Sequence, residues 1–215
     1  MESAPVVRLG VLASGRGSNL AALADAARSG RLGGEVSLLV TDRPDAGALD
    51  EARRRGVPAL YLDPGPRRTR LAPEAEASYV EALRERGVRV VLLAGFMRVL
   101  HGTFLEAFPG AVLNIHPSLL PAFPGLEGAR QALEHGVAVT GCTVHLVDAS
   151  LDGGPILSQA AVPVLPEDDL ESLTARVHEA EHRLYPETVR RFLTEPFALV
   201  GRRVVWGRGE RRKWA

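Results

Sequence analysis

Residues 112–121 read VLNIHPSLLP, an apolar run that turns polar and then breaks at proline. The aliphatic start predicts a buried strand. Pro117 must end its ladder, because proline has no backbone N–H and restricts the residue before it. Side chains alternate along a strand, so Asn114 and His116 share one face. Ligands of open α/β sheets bind just beyond the carboxyl ends of such strands. The run therefore predicts an amide and an imidazole that reach the same ligand.

A second polar segment, SGRGSN at residues 14–19, follows the short apolar run 6–13. Apolar residues recur after it at helical spacing, which predicts strand, tight turn and helix. Free backbone N–H groups at such a turn favour an anion, and Gly17, Ser18 and Asn19 are the candidate ligands. The segment lacks the third glycine and the distant acid of a dinucleotide fingerprint, which favours a phosphate monoester over NAD. The alternative is a plain turn with Ser18 as helix N-cap.

The remaining periodicity predicts alternating strands and helices, and hence a parallel sheet. The fold class is α/β: an open, mostly parallel twisted sheet, Rossmann-like, with helices on both faces and antiparallel additions near the C-terminus. Expected strands are 36–40, 58–62 and 88–94, the last one central, and expected helices are 45–55, 74–86, 127–135 and a long one after 166–169. The β-rich runs 137–147 and 155–164 predict a hairpin or crossed pair at the sheet edge, followed by a terminal hairpin after residue 196 and a solvated basic tail, 208–213.

Composition excludes several classes of function. The 26 Lys and Arg residues balance the 26 Asp and Glu residues, and this balance of charge argues against nonspecific binding of the nucleic-acid backbone. Lys213 is the only lysine, so there is no P-loop and no Schiff-base lysine in the body of the chain. Cys142 reads as a buried small hydrophobe, and a single cysteine fits a reducing cytoplasm. The longest apolar stretch, 90–100, is too short for a membrane span. We expect a cytoplasmic monomer or homodimer with small-molecule substrates and neither nucleic-acid nor membrane partners.

Residues 151–156, LDGGPI, put an acid on a glycine-rich turn after a strand, where Asp152 could orient His116. With NIHPSLLP and SGRGSN, this segment resembles the folate-dependent formyltransferases over about residues 9–185. The resemblance implies one domain over residues 1–215, with a phosphate-binding half to about 100, a catalytic and folate half to about 195, and a terminal hairpin and tail. It implies that the chain uses 10-formyltetrahydrofolate as cosubstrate, without a metal, and formylates the amine of 5′-phosphoribosylglycinamide in purine biosynthesis.

The resemblance also implies ligand-binding residues. Glu181 corresponds to a ribose contact, although a solvent-facing glutamate is the alternative. Arg70 is the expected exception in a cluster with Arg67 and Arg68 that otherwise reads as a solvated face. The folate-binding candidates are Arg70, Met97, Arg98, Val99, Leu100, Asp148 and Leu151.

The expected chemistry is direct transfer through a tetrahedral intermediate. Asn114 and His116 would donate hydrogen bonds to its oxygen, and Asp152 would assist proton transfer from the attacking amine to the leaving nitrogen. The other histidines have no comparable setting; His178 and His182 lack the partners that zinc hydrolases show.

Three alternatives stay open. Methionyl-tRNA formyltransferases add a C-terminal domain to this core, and formyltetrahydrofolate deformylases add an N-terminal one, which we do not expect here. A noncatalytic folate- or nucleotide-binding module would keep the fold and lack turnover.

Overall fold

The computed structural model describes residues 6–67, 69–210, 212 and 214; Arg68 and Lys213, named above, lie outside that part. Within it the chain forms six helices and nine strands. The strands are β1 (Val7–Leu12), β2 (Gly34–Thr41), β3 (Ala59–Tyr61), β4 (Val90–Leu93), β5 (Val112–His116), β6 (Val139–Leu146), β7 (Ile156–Pro163), β8 (Phe197–Val200) and β9 (Arg203–Trp206). The helices are α1 (Ser18–Arg28), α2 (Gly47–Arg55), α3 (Pro73–Glu85), α4 (Gly102–Ala107), α5 (Gly128–Glu134) and α6 (Leu170–Thr194).

All nine strands belong to one sheet, in the order β3-β2-β1-β4-β5-β6-β7-β9-β8. The first five in that order run parallel, and β6 and β7 continue the sheet antiparallel. The predicted fold class is therefore confirmed. The β6–β7 hairpin does not lie at the edge as predicted, because β9 pairs with the open side of β7. Helix α4 was not predicted; it is a short segment of six residues.

The strand order reverses beside β1. The chain moves outward from β1 to β2 and β3, then returns to β4 and β5 on the other side. Right-handed crossovers then require α1 and α2 on one face and α3 on the other. Crevices form beyond the carboxyl ends of strands at such a reversal. The loops after β1, β4 and β5 therefore surround one crevice.

The core lies around the inner parallel strands β1, β4 and β5, whose residues are mostly buried. All four residues of β4 are buried, which agrees with its predicted central position. Cys142 is fully buried in β6, and burial raises the pKa of its thiol to about 12. The prediction that it is a small hydrophobe is confirmed.

Helix α6 is fixed at both the start and the middle. Asp169 and Ser172 form a capping box at its N-terminus, which satisfies otherwise unpaired N–H groups. The buried Tyr185 hydroxyl donates to Leu93 O at 3.0 Å, at the end of β4, and lies 3.1 Å from Leu113 O, near the start of β5. These contacts hold the helix against the crevice. Across the described residues, every helix is too short or too polar to cross a lipid bilayer.

The expectation of a solvated tail is wrong at Arg212. Its guanidinium carbon lies 4.7 Å from the ring centroids of Phe192 and Phe197, and its Nη1 donates to Gly110 O at 2.5 Å. The faces of aromatic rings attract cations, and the aliphatic stem of arginine packs on apolar surface. This burial lowers the pKa of Arg212. Arg212 is thus packed against α6 and the terminal hairpin, whereas residues 208–210 are exposed as predicted.

Candidate active site

A cleft of about 640 Å³ opens beyond the carboxyl ends of β1, β4 and β5. Loops after these strands line it, together with the β6–β7 connection and one face of α6. Of the residues predicted to form the site, Arg70 is not among the lining residues. The cleft brings together Gly17, Ser18, Asn19, Met97, Arg98, Val99, Leu100, Asn114, His116, Asp148, Leu151, Asp152 and Glu181.

His116 is held by a carbonyl on one side and faces a carboxylate on the other. Its Nε2 lies 2.9 Å from Phe123 O, so this nitrogen carries a proton and donates it. Its Nδ1 lies 3.5 Å from Asp152 Oδ2, which accepts the Gly125 N–H at 2.7 Å. Asp152 therefore holds the loop after β5 and lies beside His116, so its predicted role in orienting the ring stays a prediction. Nδ1 is the ring atom left for proton exchange.

His145 belongs to the same cluster, although its sequence setting did not predict a functional role. Its Nε2 lies 3.1 Å from Asn114 Nδ2 and 3.8 Å from Asp152 Oδ1, and its Nδ1 lies 2.9 Å from Leu146 O. Burial lowers the pKa of His145, which favours the neutral ring. The network then assigns Nδ1–H as donor to Leu146 O and Nε2 as acceptor from Asn114. Only the register of β6 on β5, which pairs Asn114 with His145, reveals this contact.

The turn after β1 requires glycine at residue 17. Gly17 has φ 85° and is the N-cap of α1, so Ser18 is the first helical residue and the alternative of Ser18 as N-cap is wrong. A Cβ on Gly17 would lie 2.6 Å from Ala48 Cα in α2. The first N–H groups of a helix have no partner within it. Those of α1 point toward the cleft end of the sheet and can bind an anion.

Glu181 is buried, so the alternative of a solvent-facing side chain is wrong. It is 4% exposed, and its Oε2 accepts a hydrogen bond from Asn19 Nδ2 at 2.8 Å. Burial raises the pKa of Glu181 to about 7, against the opposing effect of the Asn19 hydrogen bond. Asn19 Oδ1 is buried and has no protein partner among the described residues. The pair thus lies at the wall of the cleft with one buried oxygen of Asn19 left without a hydrogen bond.

His178 also lines the cleft, one helical turn before Glu181, although the sequence analysis set it aside. The spacing of three residues on a helix was a signal that could have identified it. Its Nδ1 lies 3.4 Å from Nη2 of Arg16, in the turn after β1. Burial, and next the Arg16 charge, lower the pKa of His178.

Residues 97–100 form one wall of the cleft, in which the apolar side chains Met97 and Val99 are the most exposed. Met97 is 54% exposed and Val99 is 37% exposed, whereas the Arg98 Nε donates to Asp42 Oδ2 at 2.6 Å. Arg70 is exposed and makes a backbone bridge to Val99 at the margin of this wall. In the described part of the chain, no group of three or more His, Cys, Asp or Glu side chains is arranged to hold a metal ion.

An Asn–His–Asp cluster beside a glycine turn at a helix N-terminus, at the carboxyl ends of a parallel sheet, is typical of an α/β enzyme with small-molecule substrates. The particular family follows from comparison with known proteins. The chain belongs to the formyl transferase family, whose model matches residues 7–189. The resemblance found in the sequence is thereby confirmed.

Three relatives illustrate the range of the family. Glycinamide ribonucleotide transformylase 1 from Symbiobacterium toebii is 52% identical in a crystal structure, with a TM-score of 0.86 and 93% of each chain covered. The phosphoribosylglycinamide formyltransferase of Bacillus subtilis is 38% identical over 86% of this chain and 94% of its own length. The trifunctional purine biosynthetic protein adenosine-3 of Drosophila melanogaster is 45% identical over 85% of this chain. This chain spans only 14% of that last protein.

Proposed function

We propose that this protein transfers the formyl group of 10-formyltetrahydrofolate to the amine of 5′-phosphoribosylglycinamide, a step of purine biosynthesis. One observation carries the proposal: a single cleft holds the Asn114–His116–Asp152 cluster beside the anion-binding turn at Gly17. A phosphorylated amine bound at the turn can reach a formyl donor at the cluster. The names of the relatives support the substrate pair.

Asn114 acts as a neutral hydrogen-bond donor to the oxygen that becomes negative. One N–H of its amide is engaged by His145, which leaves the second for the substrate. The amine nitrogen attacks the formyl carbon, and the carbonyl electron pair moves to the oxygen. A preorganised donor there lowers the barrier because it costs no reorganisation during the reaction. The amide brings no acidic proton that would quench the amine.

His116 and Asp152 assist the proton transfer that the reaction requires. The attacking amine loses a proton, and the folate N10 gains one as the carbon–nitrogen bond to it breaks. Because the Nε2 proton of His116 is committed to Phe123 O, Nδ1 is the atom that donates to the developing oxyanion when the ring is charged. Asp152, 3.5 Å from Nδ1, stabilises that charge and can pass the amine proton through a bound water.

Formyl transfer is tested by following the absorbance change as 10-formyltetrahydrofolate loses its formyl group, with the ribonucleotide present or omitted. Turnover that depends on the ribonucleotide supports the proposal. Equal turnover without it would indicate a hydrolase on the same core. Binding of both ligands without turnover would leave the noncatalytic module.

A further inference from the structure

The cleft wall at residues 97–100 and the next residue, His101, are held in place by hydrogen bonds to several separate parts of the chain. Three backbone N–H groups of this segment donate to acceptors outside it rather than to neighbours within it. Such external bonds fix the shape of a segment that has no regular structure of its own. The pairs are Met97 to Ser14 Oγ at 2.9 Å, Val99 to Thr69 O at 2.9 Å and His101 to Glu76 Oε1 at 2.8 Å.

An ion pair between Asp42, just after β2, and Arg98 also anchors the wall. Nε of Arg98 and Oδ2 of Asp42 are 2.6 Å apart, and the two side chains are 16% and 2% exposed. Arg98 also donates through Nη1 to Arg67 O. Asp42 Oδ1 is buried without a partner in the described part of the chain. A carboxylate in that position is costly unless it is paired, so each side chain depends on the other.

The pair ties back the one charged side chain between two apolar ones. With Arg98 bonded to Asp42 and Arg67, the side chains of Met97 and Val99 on either side of it are the ones left exposed at the cleft. Both are exposed apolar residues that line it. Asp42 itself is not among the lining residues, and its effect must pass through Arg98.

We propose that Asp42, acting through Arg98, is a positioning residue that shapes this wall for the flat, apolar part of the folate cosubstrate. The inference rests on the proposed function. It assigns the Arg98 side chain to holding the wall rather than to contacting folate, and the phosphate end of the cleft does not depend on it.

The test uses Asp42→Asn, Arg98→Gln and the double variant, each assayed for kcat and for both KM values. The lost charge-assisted bond should raise the KM for 10-formyltetrahydrofolate about tenfold in each single variant. The ribonucleotide KM should change by less than about twofold, since uniform ground-state binding is lost only at the folate end. The double variant should resemble the single ones, because all remove the same interaction. It also tests the idea with no buried charge left unpaired, if a single variant folds poorly.

Asp45→Ala is the matched control, because Asp45 pairs with Arg43 nearby but is 68% exposed and does not line the cleft. Its kinetics should equal those of the unaltered protein. An unchanged folate KM in folded Asp42→Asn and Arg98→Gln would overturn the inference, as would equal rises in both KM values. Absence of turnover in the unaltered protein would instead count against the proposed function, so the two failures are distinguishable.

Discussion

The side-chain amide of Asn114 on β5 donates to Nε2 of His145 on the neighbouring antiparallel strand β6, 3.1 Å away. One N–H of the amide is thus fixed by the protein, which sets the direction of the other. A buried neutral histidine is suited to this task because its lowered pKa keeps Nε2 free to accept.

Replacing Asn114 by alanine should lower kcat by about a hundredfold to a thousandfold, as loss of one oxyanion donor does. The KM values should change little, since the donor acts mainly on the charged intermediate. Steady-state kinetics measure both, and a thermal melt checks the fold. Turnover close to that of the unaltered protein would remove Asn114 from the mechanism.

His145→Ala should lower kcat about tenfold, because Asn114 loses the acceptor that orients it. His145→Gln should recover part of the rate, since a side-chain carbonyl can accept the same bond. The comparison of the two variants at one pH is the measurement. Equal losses of kcat in the two variants would show that a hydrogen-bond acceptor at residue 145 does not orient Asn114.

Gly15→Ala offers a cleaner test of the anion-binding turn than any change at Gly17, where a side chain would also strike Ala48. A Cβ on Gly15 meets nothing within 4 Å in the protein, although residue 15 lines the cleft. We expect an unchanged melting temperature and a raised KM for the ribonucleotide alone, because the methyl group blocks close approach to the backbone.

Gly30→Ala is a control outside the cleft, where a Cβ likewise meets nothing within 4 Å, though the residue has φ 74°. It should lower stability slightly and leave both KM values unchanged. An unaltered ribonucleotide KM in Gly15→Ala would argue against phosphate binding at this turn.

The buried carboxyl of Glu181 should make stability depend on pH. Its pKa is about 7 in the folded protein and 4.5 for an ordinary glutamate, so the folded state binds more protons between these values. The contribution of Glu181 to the free energy of unfolding is therefore greatest at low pH and is lost as the pH rises through 7. Full loss amounts to about 3 kcal/mol, by about 1.4 kcal/mol per pKa unit.

Urea unfolding at pH 5, 6 and 8 measures this effect against Glu181→Gln, which stays neutral throughout. The variant should gain stability relative to the unaltered protein as the pH rises. Three histidines whose pKa values are lowered by desolvation act in the opposite direction in both proteins and cancel in the comparison. A pH-independent difference would contradict the raised pKa.

Arg212→Ala should destabilise the fold by about 1–2 kcal/mol, because it removes the cation from the faces of Phe192 and Phe197. The kinetic constants should not change, as the contact lies outside the cleft. Arg208→Ala, at an exposed position of the same tail, is the control. Equal melting temperatures for the two variants would mean that the stacking contributes nothing.

The sequence by itself determined the order and type of most elements and the core of the site. Hydrophobic periodicity and chain breakers depend on neighbouring residues only, so they predicted the parallel sheet and the long helix α6. The alternation of residues 112–116 likewise predicted that Asn114 and His116 share a face. The turns that carry Gly17 and Asp152 were likewise predicted from the residues next to them in the sequence.

Tertiary structure alone decided what lies beside these residues. The contact of His145 with Asn114 comes from the register between antiparallel strands, and the Asp42–Arg98 pair joins residues after two strands that are not neighbours in the sheet. The burial of Glu181 and Arg212 depends on which surfaces α6 and the tail meet. Such contacts arise from packing between distant segments, and a pattern within one segment carries no information about them.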